Sequence, residues 1–548
     1  MNYKINLIKQ LFFSIVLLFS LQAKAQSNGF EVIKSLELMD QIYENLDLYF
    51  VDDVQPGKLS KVAIDAMLKE LDPYTVYYAE ANIEDYRLMT TGQYGGIGSL
   101  IKKADEYVYI SEPYEGNPAQ KSGLRAGDKI LEIDGKTMFN KPSDQVSDAL
   151  KGPKGTVVKI LVERFNEGNK LIEITRDEIK IPDVPYYGII KDKVGYISLN
   201  SFTQTASEEV KKGIIAMQKE GMEQLILDLR GNGGGLLIEA VKIVNFFVPK
   251  DKVVVFTKGR VKEENHVYKT TEEPIALGLP LIVLIDKGSA SASEIVAGSL
   301  QDLDRAVIIG EQSYGKGLVQ RTYDLKYGSK VKITIAKYYT PSGRCVQRLE
   351  YYDKESGAKP KEISDSLLRK FKTQNGRDVI DGRGIDPDLA IEKEDLSQFS
   401  ALLFSKNILF NYATQYRSNN KEIAAADKFQ LSDDEYAIFK TYVLNAKLNY
   451  STAAQNALKK LKLEAEKEGT FDELKAEYEN ILVKISPDPA KDLDKYRIEI
   501  AEMLENEIVS RYYFQKGRTI NSFEHDPAVI KAIQTAMDNN SYNAILKN

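Results

Sequence analysis

The chain reads as a multidomain α+β protein: a helical N-terminal segment, a mainly β module, an α/β core and a helical C-terminal region. Three patterns predict this. Apolar residues recur at three- and four-residue intervals in residues 26–84 and again in 396–548. Between 85 and 182 they alternate and are punctuated by glycine turns. Between 183 and 395 apolar strand runs are separated by helix-like stretches. A length of 548 residues accommodates roughly three or four domains. With 43% hydrophobic and 28% charged residues the composition is that of a globular protein, and a net charge of −6 argues against a nucleic-acid partner.

Residues 1–25 differ from the rest. Lys4 and Lys9 precede an apolar run from Leu11 to Leu21, and Ala23-Lys-Ala25 supplies an A-x-A cleavage site. This is the pattern of a signal peptide, with an uncleaved anchor as the alternative, so the expected location is the periplasm, either free or membrane-associated. The single cysteine, Cys345, excludes an intrachain disulfide, and the exported fold must be held by packing alone.

In the N-terminal segment, Phe30, Val32, Ile33, Leu36, Leu38, Ile42 and Leu46 mark one helix, and Val62, Ile64, Met67, Leu68 and Leu71 a second that ends at Asp72-Pro73. The pair is expected to form a small packing domain. In the β module, Gly95-Gly-Ile-Gly98 opens a strand, residues 122–135 hold a turn, a strand and another turn, Pro142 to Leu150 is helix-like, and Gly155 to Arg164 is a strand. In the core, Val194 to Leu199, Glu208 to Glu220 and Gln224 to Leu229 alternate strand, helix, strand. Residues 351–388 are charged and turn-rich. Beyond 396 the lysine and glutamate runs are expected to be solvated helix faces, and Thr470-Phe-Asp-Glu473 reads as a capping box.

Two residues carry the candidate chemistry. Ser291 follows the apolar run Leu281 to Ile285 and a small-residue turn beginning at Gly288, which lifts a hydroxyl clear of a sheet edge. Lys316 follows another apolar strand and is flanked by Gly315 and Gly317. A serine and a lysine on adjacent strand-end loops can form a Ser–Lys dyad. Composition removes the usual competitor. The chain has two histidines, His266 in a charged stretch and His525 near the C-terminus, and neither has a catalytic context. A lysine with its ordinary pKa of about 10.4 is neutral in only ~1 of 2,500 molecules at pH 7, so Lys316 must be desolvated to serve as a base. A thiol nucleophile at Cys345 lacks a histidine partner.

The segments Gly288-Ser-Ala-Ser-Ala-Ser-Glu294, Gly310-Glu-Gln-Ser-Tyr-Gly-Lys-Gly-Leu-Val-Gln320 and Ala336-Lys-Tyr-Tyr-Thr-Pro-Ser-Gly-Arg344 resemble the carboxy-terminal processing, or tail-specific, proteases of peptidase family S41. Leu71-Asp-Pro-Tyr-Thr75 is similar to that family's N-terminal segment. The resemblance implies Ser291 as nucleophile, Lys316 as base and Gln320 as the residue that orients it. If the strand runs through Leu318, residues 316, 318 and 320 share one face and Gln320 can hydrogen-bond the lysine. Asp228-Leu-Arg-Gly-Asn-Gly-Gly-Gly235 is similar to the loop that supplies one oxyanion donor, taken as Gly234 with Gly233 or Gly235 as alternatives; Ala292 would supply the other. The resemblance further implies a crotonase-like α/β protease core and identifies the β module with a PDZ domain. There Gly95, Gly96, Ile97 and Gly98 would hold a substrate's terminal carboxylate in a backbone nest.

Three other motifs share these residues. Gly310 to Lys316 approaches a P-loop, but Gly317 replaces the magnesium-binding Ser/Thr and a strand-like stretch follows, so no nucleotide is expected. Ser313-Tyr-Gly-Lys316 matches the S-x-x-K of penicillin-binding enzymes without the other motifs of that class. Gly231 to Gly235 lacks the third glycine of a dinucleotide loop. The reading is therefore an exported serine endopeptidase acting through an acyl-enzyme, with a non-catalytic PDZ adaptor as the alternative. Its expected partners are protein or peptide substrates with a free C-terminus, and an adaptor or a second copy of the chain is a further candidate. No cofactor, metal, nucleotide or nucleic acid is expected.

Overall fold

The computed structural model of the chain describes residues 29–80, 83–351, 359–391 and 395–547; the expected signal peptide at residues 1–25 lies outside them. The core is organised by a six-stranded sheet in the order Tyr186–Lys191, Val194–Ser198, Gln224–Asp228, Leu281–Ile285, Val307–Gly310 and Leu389–Ala390. The first pair is antiparallel and the remaining pairs are parallel. Leu281 to Ile285 is an unbroken apolar run because both of its faces are buried. Leu281, Val283 and Ile285 pack with Leu225, Leu227 and Ile308 under the helices Ala206–Lys219, Leu237–Asn245 and Ala292–Asp302. Ile282 and Leu284 face the other way, with Tyr196, Ile226, Val307 and Ile309.

That second face is covered from the far end of the chain. Ala528, Val529, Ala532 and Ala536 of the helix Pro527–Met537, and Tyr542 and Leu546 of Asn539–Lys547, pack directly on it. The Tyr542 hydroxyl accepts a hydrogen bond from Leu281 N at 3.0 Å. The last two helices, to which the sequence assigned no role, are thus the missing layer of the core sheet.

A second sheet leans against the first. Its long strand Lys330–Tyr339 pairs with Leu318–Asp324, Val253–Gly259 and the N-terminal strand Val76–Tyr78. Through that last pairing the segment after the helix Pro56–Lys69 is sewn onto the core. The helix at 29–49 does not pack as expected: Phe30 is 65% exposed and Leu36 66%.

The β module at 93–180 is a sheet ordered Ser99–Ala104, Tyr107–Pro113, Lys129–Ile133, Val157–Arg164 and Gly168–Thr175, with the helix Ser143–Leu150 beside it. The alternation expected along Val157–Arg164 is realised: Val158, Ile160 and Val162 are buried with Val108, Ile110 and Ile130. Ser99–Ala104 is an edge strand. The outer face of this sheet meets the C-terminal helices, where Lys102 Nζ lies 4.6 Å from the Phe410 ring centre. Arg518 reaches the buried Glu112 carboxylate at 3.3 Å. The lysine- and glutamate-rich helices Ala453–Glu468 and Phe471–Lys484 are mostly exposed, as solvated faces should be. Thr470 begins the second of these, but its hydroxyl donates back to Ala465 O rather than closing the expected capping box.

Removing residues 527–547 would return at least six buried apolar side chains of the sheet face to water. Each contributes about 1.5–3 kcal/mol, against a total stability of about 5–15 kcal/mol for a typical domain. The truncated chain is expected to be insoluble or to lose its cooperative melt by circular dichroism. A soluble truncation with the parental Tm would show that these helices are dispensable to the core.

Candidate active site

The turn after Leu281–Ile285 places Ser291 in a conformation that few L-residues adopt, with φ 56° and ψ −111°. A strained strand-to-helix turn of this kind exposes a nucleophile at the head of a helix. Ser291 is half-buried, whereas the serines on either side are fully buried and committed. Ser289 Oγ donates to Leu229 O and Ser293 Oγ to Asn232 O, both at 2.8 Å. Tyr338 Oη donates to Ser291 O at 3.1 Å and anchors the turn from the second sheet.

The residue that organises the site is Glu294, one helical turn after Ser291. Its side chain is fully buried, and its carboxylate accepts from Ser313 Oγ at 2.6 Å, Gly315 N at 2.7 Å, and Ser291 N and Lys316 N at 2.8 Å each. The last two bonds go to the same oxygen, Oε2, so the backbone nitrogens of Ser291 and Lys316 lie within twice that distance of each other. Burial pushes the Glu294 carboxyl up, and the four donors oppose that rise. Glu294 was missed as a functional residue although Ser291-Ala-Ser-Glu294 is itself an S-x-x-E capping pattern.

Lys316 lies just before the strand Leu318–Asp324 and is half-buried. Its ammonium sits over the face of Tyr74, 4.2 Å from the ring centre, and makes no hydrogen bond or ion pair among the described residues. Burial is the main cause that pulls its pKa down to about 8. The charge of Lys332 lowers it further, while Glu294 and Asp72 work in the opposite direction.

Gln320 does not reach the lysine. The strand begins only at Leu318, and a bulge between Val319 and Gln320 breaks the alternation on which the expected shared face rested. Gln320 Nε2 instead donates to Thr334 Oγ1 at 3.2 Å, and Thr334 also contacts Thr75. Thr75 in turn donates to the buried Asp72 carboxylate.

The glycine loop meets the nucleophile turn as expected. Gly234 has φ +96°, and a Cβ there would lie 2.8 Å from both Ala292 N and Ser291 Cβ, so only glycine permits this approach. Its N–H, however, donates to Asn232 Oδ1 at 2.9 Å, which makes Gly234 the wall rather than a free donor of this arrangement. Gly233 and Gly235 are exposed, and their N–H groups and that of Ala292 have no partner among the described hydrogen bonds.

The competing assignments do not fit. Ser313 Oγ is buried, donating to Glu294 and accepting from Ile385 N at 2.7 Å, so it is not available as a nucleophile. A strand, not a helix, follows Lys316, unlike a P-loop. Burial pushes the Cys345 thiol up, away from the reactive thiolate. His525 Nδ1 lies 3.8 Å from Glu502, and the His266 ring meets Tyr268 edge-on; neither histidine bonds to Ser291. Arg344 of the third motif is buried and bonds Gln301 and Asp302 at the end of the helix that Ser291 begins.

In the β module, Gly95 and Gly96 belong to a strand, Gln93–Gly96, paired with Asp177–Lys180, and are not part of an open nest. Gly95 is needed for close approach: a Cβ would meet Gly152 O at 2.3 Å. Ile97 and Gly98, just ahead of the edge strand, keep N–H groups without a partner among the described hydrogen bonds. Within the expected loop, Ile97 and Gly98 are thus the residues outside the paired strand.

Comparison with known proteins gives the family and its domains. Residues 193–353 match the family model for peptidase family S41, 109–164 that for a PDZ domain, and 399–536 that for the C-terminal helical domain of a probable PDZ-protease. A probable CtpA-like serine protease of Staphylococcus haemolyticus is 34% identical over 344 residues, covering 62% of this chain and 68% of that one. The chain belongs to peptidase family S41. A second S41 relative, a probable CtpA-like serine protease of Staphylococcus aureus, is 35% identical over 316 residues, 57% of this chain and 62% of its own. A photosystem II D1 C-terminal processing protease of known structure is 26% identical over 67% of this chain and 89% of its own, with a TM-score of 0.37. This S41 protein is a serine protease similar to the CtpA-like enzymes, with a PDZ domain and a helical C-terminal domain.

The Glu294 arrangement is directly testable. Glu294→Gln leaves one acceptor oxygen and sets an NH2 group against N–H donors; each buried donor left unpaired costs about 1–3 kcal/mol. The variant is expected to lose at least tenfold in kcat/KM and several degrees in Tm. Parental values for both would show that the carboxylate does not hold the two loops together.

Proposed function

We propose that this S41 protein is an exported endopeptidase in which Ser291 is the nucleophile and Lys316 the general base, and that its PDZ domain selects substrates by their free C-termini. The observation that carries the dyad is the half-buried Lys316 ammonium, which has no carboxylate partner while its backbone shares Glu294 Oε2 with the backbone of Ser291. With a pKa of about 8, roughly a tenth of the lysine is neutral at pH 7, some two hundred times more than at its ordinary value. Neutral Lys316 takes the Ser291 proton as Oγ attacks the peptide carbonyl. The oxyanion is met by Ala292 N–H and a glycine N–H of the 233–235 loop. The ammonium then protonates the leaving amine, and water hydrolyses the acyl-enzyme. We assign Gln320 to the Thr334–Thr75 network rather than to the lysine. Export rests on the sequence of residues 1–25.

The dyad predicts that Ser291→Ala abolishes proteolysis of an unfolded protein substrate without a change in Tm. Lys316→Arg, which keeps the charge but cannot deprotonate, should be as inactive as Lys316→Ala. Parental activity should climb with pH through about 8, because the base works only when deprotonated. An active arginine variant, or a flat profile between pH 6 and 9, contradicts a lysine base.

Substrate selection predicts a second outcome. A terminal carboxylate held by the Ile97 and Gly98 N–H groups makes charge-assisted bonds worth about 1.5–3 kcal/mol, which amidation removes. Kinetics on paired peptides should show the amidated form losing about 10- to 150-fold in kcat/KM. Equal cleavage of the two would mean that the module does not read C-termini.

A further inference from the structure

The base of this site is covered by a residue that lies outside the S41 core. Asp72 accepts from Tyr74 N at 2.7 Å and Thr75 N at 2.8 Å, closing a turn, and Val76–Tyr78 then pairs with Lys330 to Lys332. This fixes the Tyr74 ring against the Lys316 ammonium. The ring is held from its other end: its hydroxyl lies 3.4 Å from that of Tyr314 and 3.2 Å from that of Tyr351, and the Tyr351 ring packs edge-on against it. Lys316 therefore spends its charge on an aromatic face while making no hydrogen bond to Ser291.

We propose that Tyr74 is a positioning residue for Lys316, whose ring face holds the lysine as a parked cation and must release it before the lysine can accept the serine proton. The proposal rests on the Ser291–Lys316 reading. Two properties of the ring oppose each other. Its bulk keeps water away, which disfavours the ammonium, and its negative π-face attracts the ammonium, which favours it. A leucine at position 74 retains most of the bulk and none of the face, and a phenylalanine retains both and loses only the hydroxyl contacts. The other groups facing Lys316 remain in place in either variant: Asp72 from the same turn, Glu294 from the helix after Ser291, and Lys332 from the long strand. The phenols of Tyr314 and Tyr351 surround the far end of the ring.

The test is the pH dependence of kcat/KM in the full chain. Tyr74→Leu is expected to move the rising limb about 0.5–1.5 units toward lower pH, so that its rate at pH 7 gains severalfold relative to its own alkaline plateau. Tyr74→Phe should keep the parental limb. Loss of mere packing would scale the rate equally at every pH and leave the limb in place. A leucine variant with an unshifted limb, or one shifted to higher pH, overturns the proposal, as does a phenylalanine variant that shifts as far as leucine. If the leucine variant does not fold, Tyr74→Trp asks the same question with opposite sign, since the indole face binds cations more strongly: the limb should move to higher pH, and an unmoved limb overturns the proposal. Full activity in Lys316→Ala would instead sink the dyad itself. An inactive Lys316→Ala with an unshifted Tyr74→Leu sinks only the role of Tyr74.

Discussion

The Glu294 carboxylate is the constraint on which the active site depends. It is sealed from water, and a sealed carboxylate is tolerable only when its lone pairs are answered by donors. Those donors are drawn from two separate strand ends, the turn at Ser291 and the loop from Ser313 to Lys316, so satisfying one buried charge brings the backbones of Ser291 and Lys316 into one place. The demand extends outward. Ser313 Oγ, while donating to Glu294, also accepts from Ile385 N, and a Cβ on Gly384 would lie 2.7 Å from that hydroxyl oxygen. Gly315 and Gly317 face the backbone of residues 345–348 too closely for any side chain, with a Cβ at Gly317 only 2.7 Å from Gln347 N. The glycines around the site are thus consequences of backbone packed on backbone about a single carboxylate.

What could be read in the sequence followed the range of each interaction. The strand at Leu281–Ile285, the turn at Gly288 and the helix from Ala292 are local patterns, and they appear where the periodicity put them. Gln320 was misjudged because alternation was extended across a bulge, a register slip that depends on the partner strand Lys330–Tyr339 and leaves no mark on its own strand. Gly234 was expected to be a free oxyanion donor, but its N–H is taken by the side chain of Asn232, which local spacing does not specify. The C-terminal helices were legible as helices and illegible as part of the core. A sheet whose central strand is apolar on both faces needs two covering layers, and the three helices between 206 and 302 all lie on one side. That deficit was the available signal that later helices must supply the second layer.

The same end of the chain touches the glycine loop. Arg230, immediately before Gly231, is bound by Asp228 and by Asp526, and Asp526 also caps the helix Pro527–Met537 through Ala528 N and Val529 N. The two acids hold the guanidinium strongly in its charged form although burial disfavours it. The helix that closes the second face of the sheet and the loop behind Ser291 are therefore linked through Asp526.

The lysine base that we propose poses a dielectric problem. Water must be kept from the ammonium to lower its pKa, yet the lysine needs a route to the serine, and a carboxylate partner would keep it charged. In this protein one face of the ammonium is covered by the N-terminal segment. Tyr74 covers the ammonium with a surface that attracts it without accepting its proton, and Asp72, the nearest acid on that segment, is occupied by Tyr74 N, Thr75 N and the Thr75 hydroxyl. Glu294, the acid that favours the ammonium most, is likewise occupied, by donors from Ser291, Ser313, Gly315 and Lys316. A turn that precedes the PDZ domain in sequence thereby lies over the ammonium that we propose as the general base.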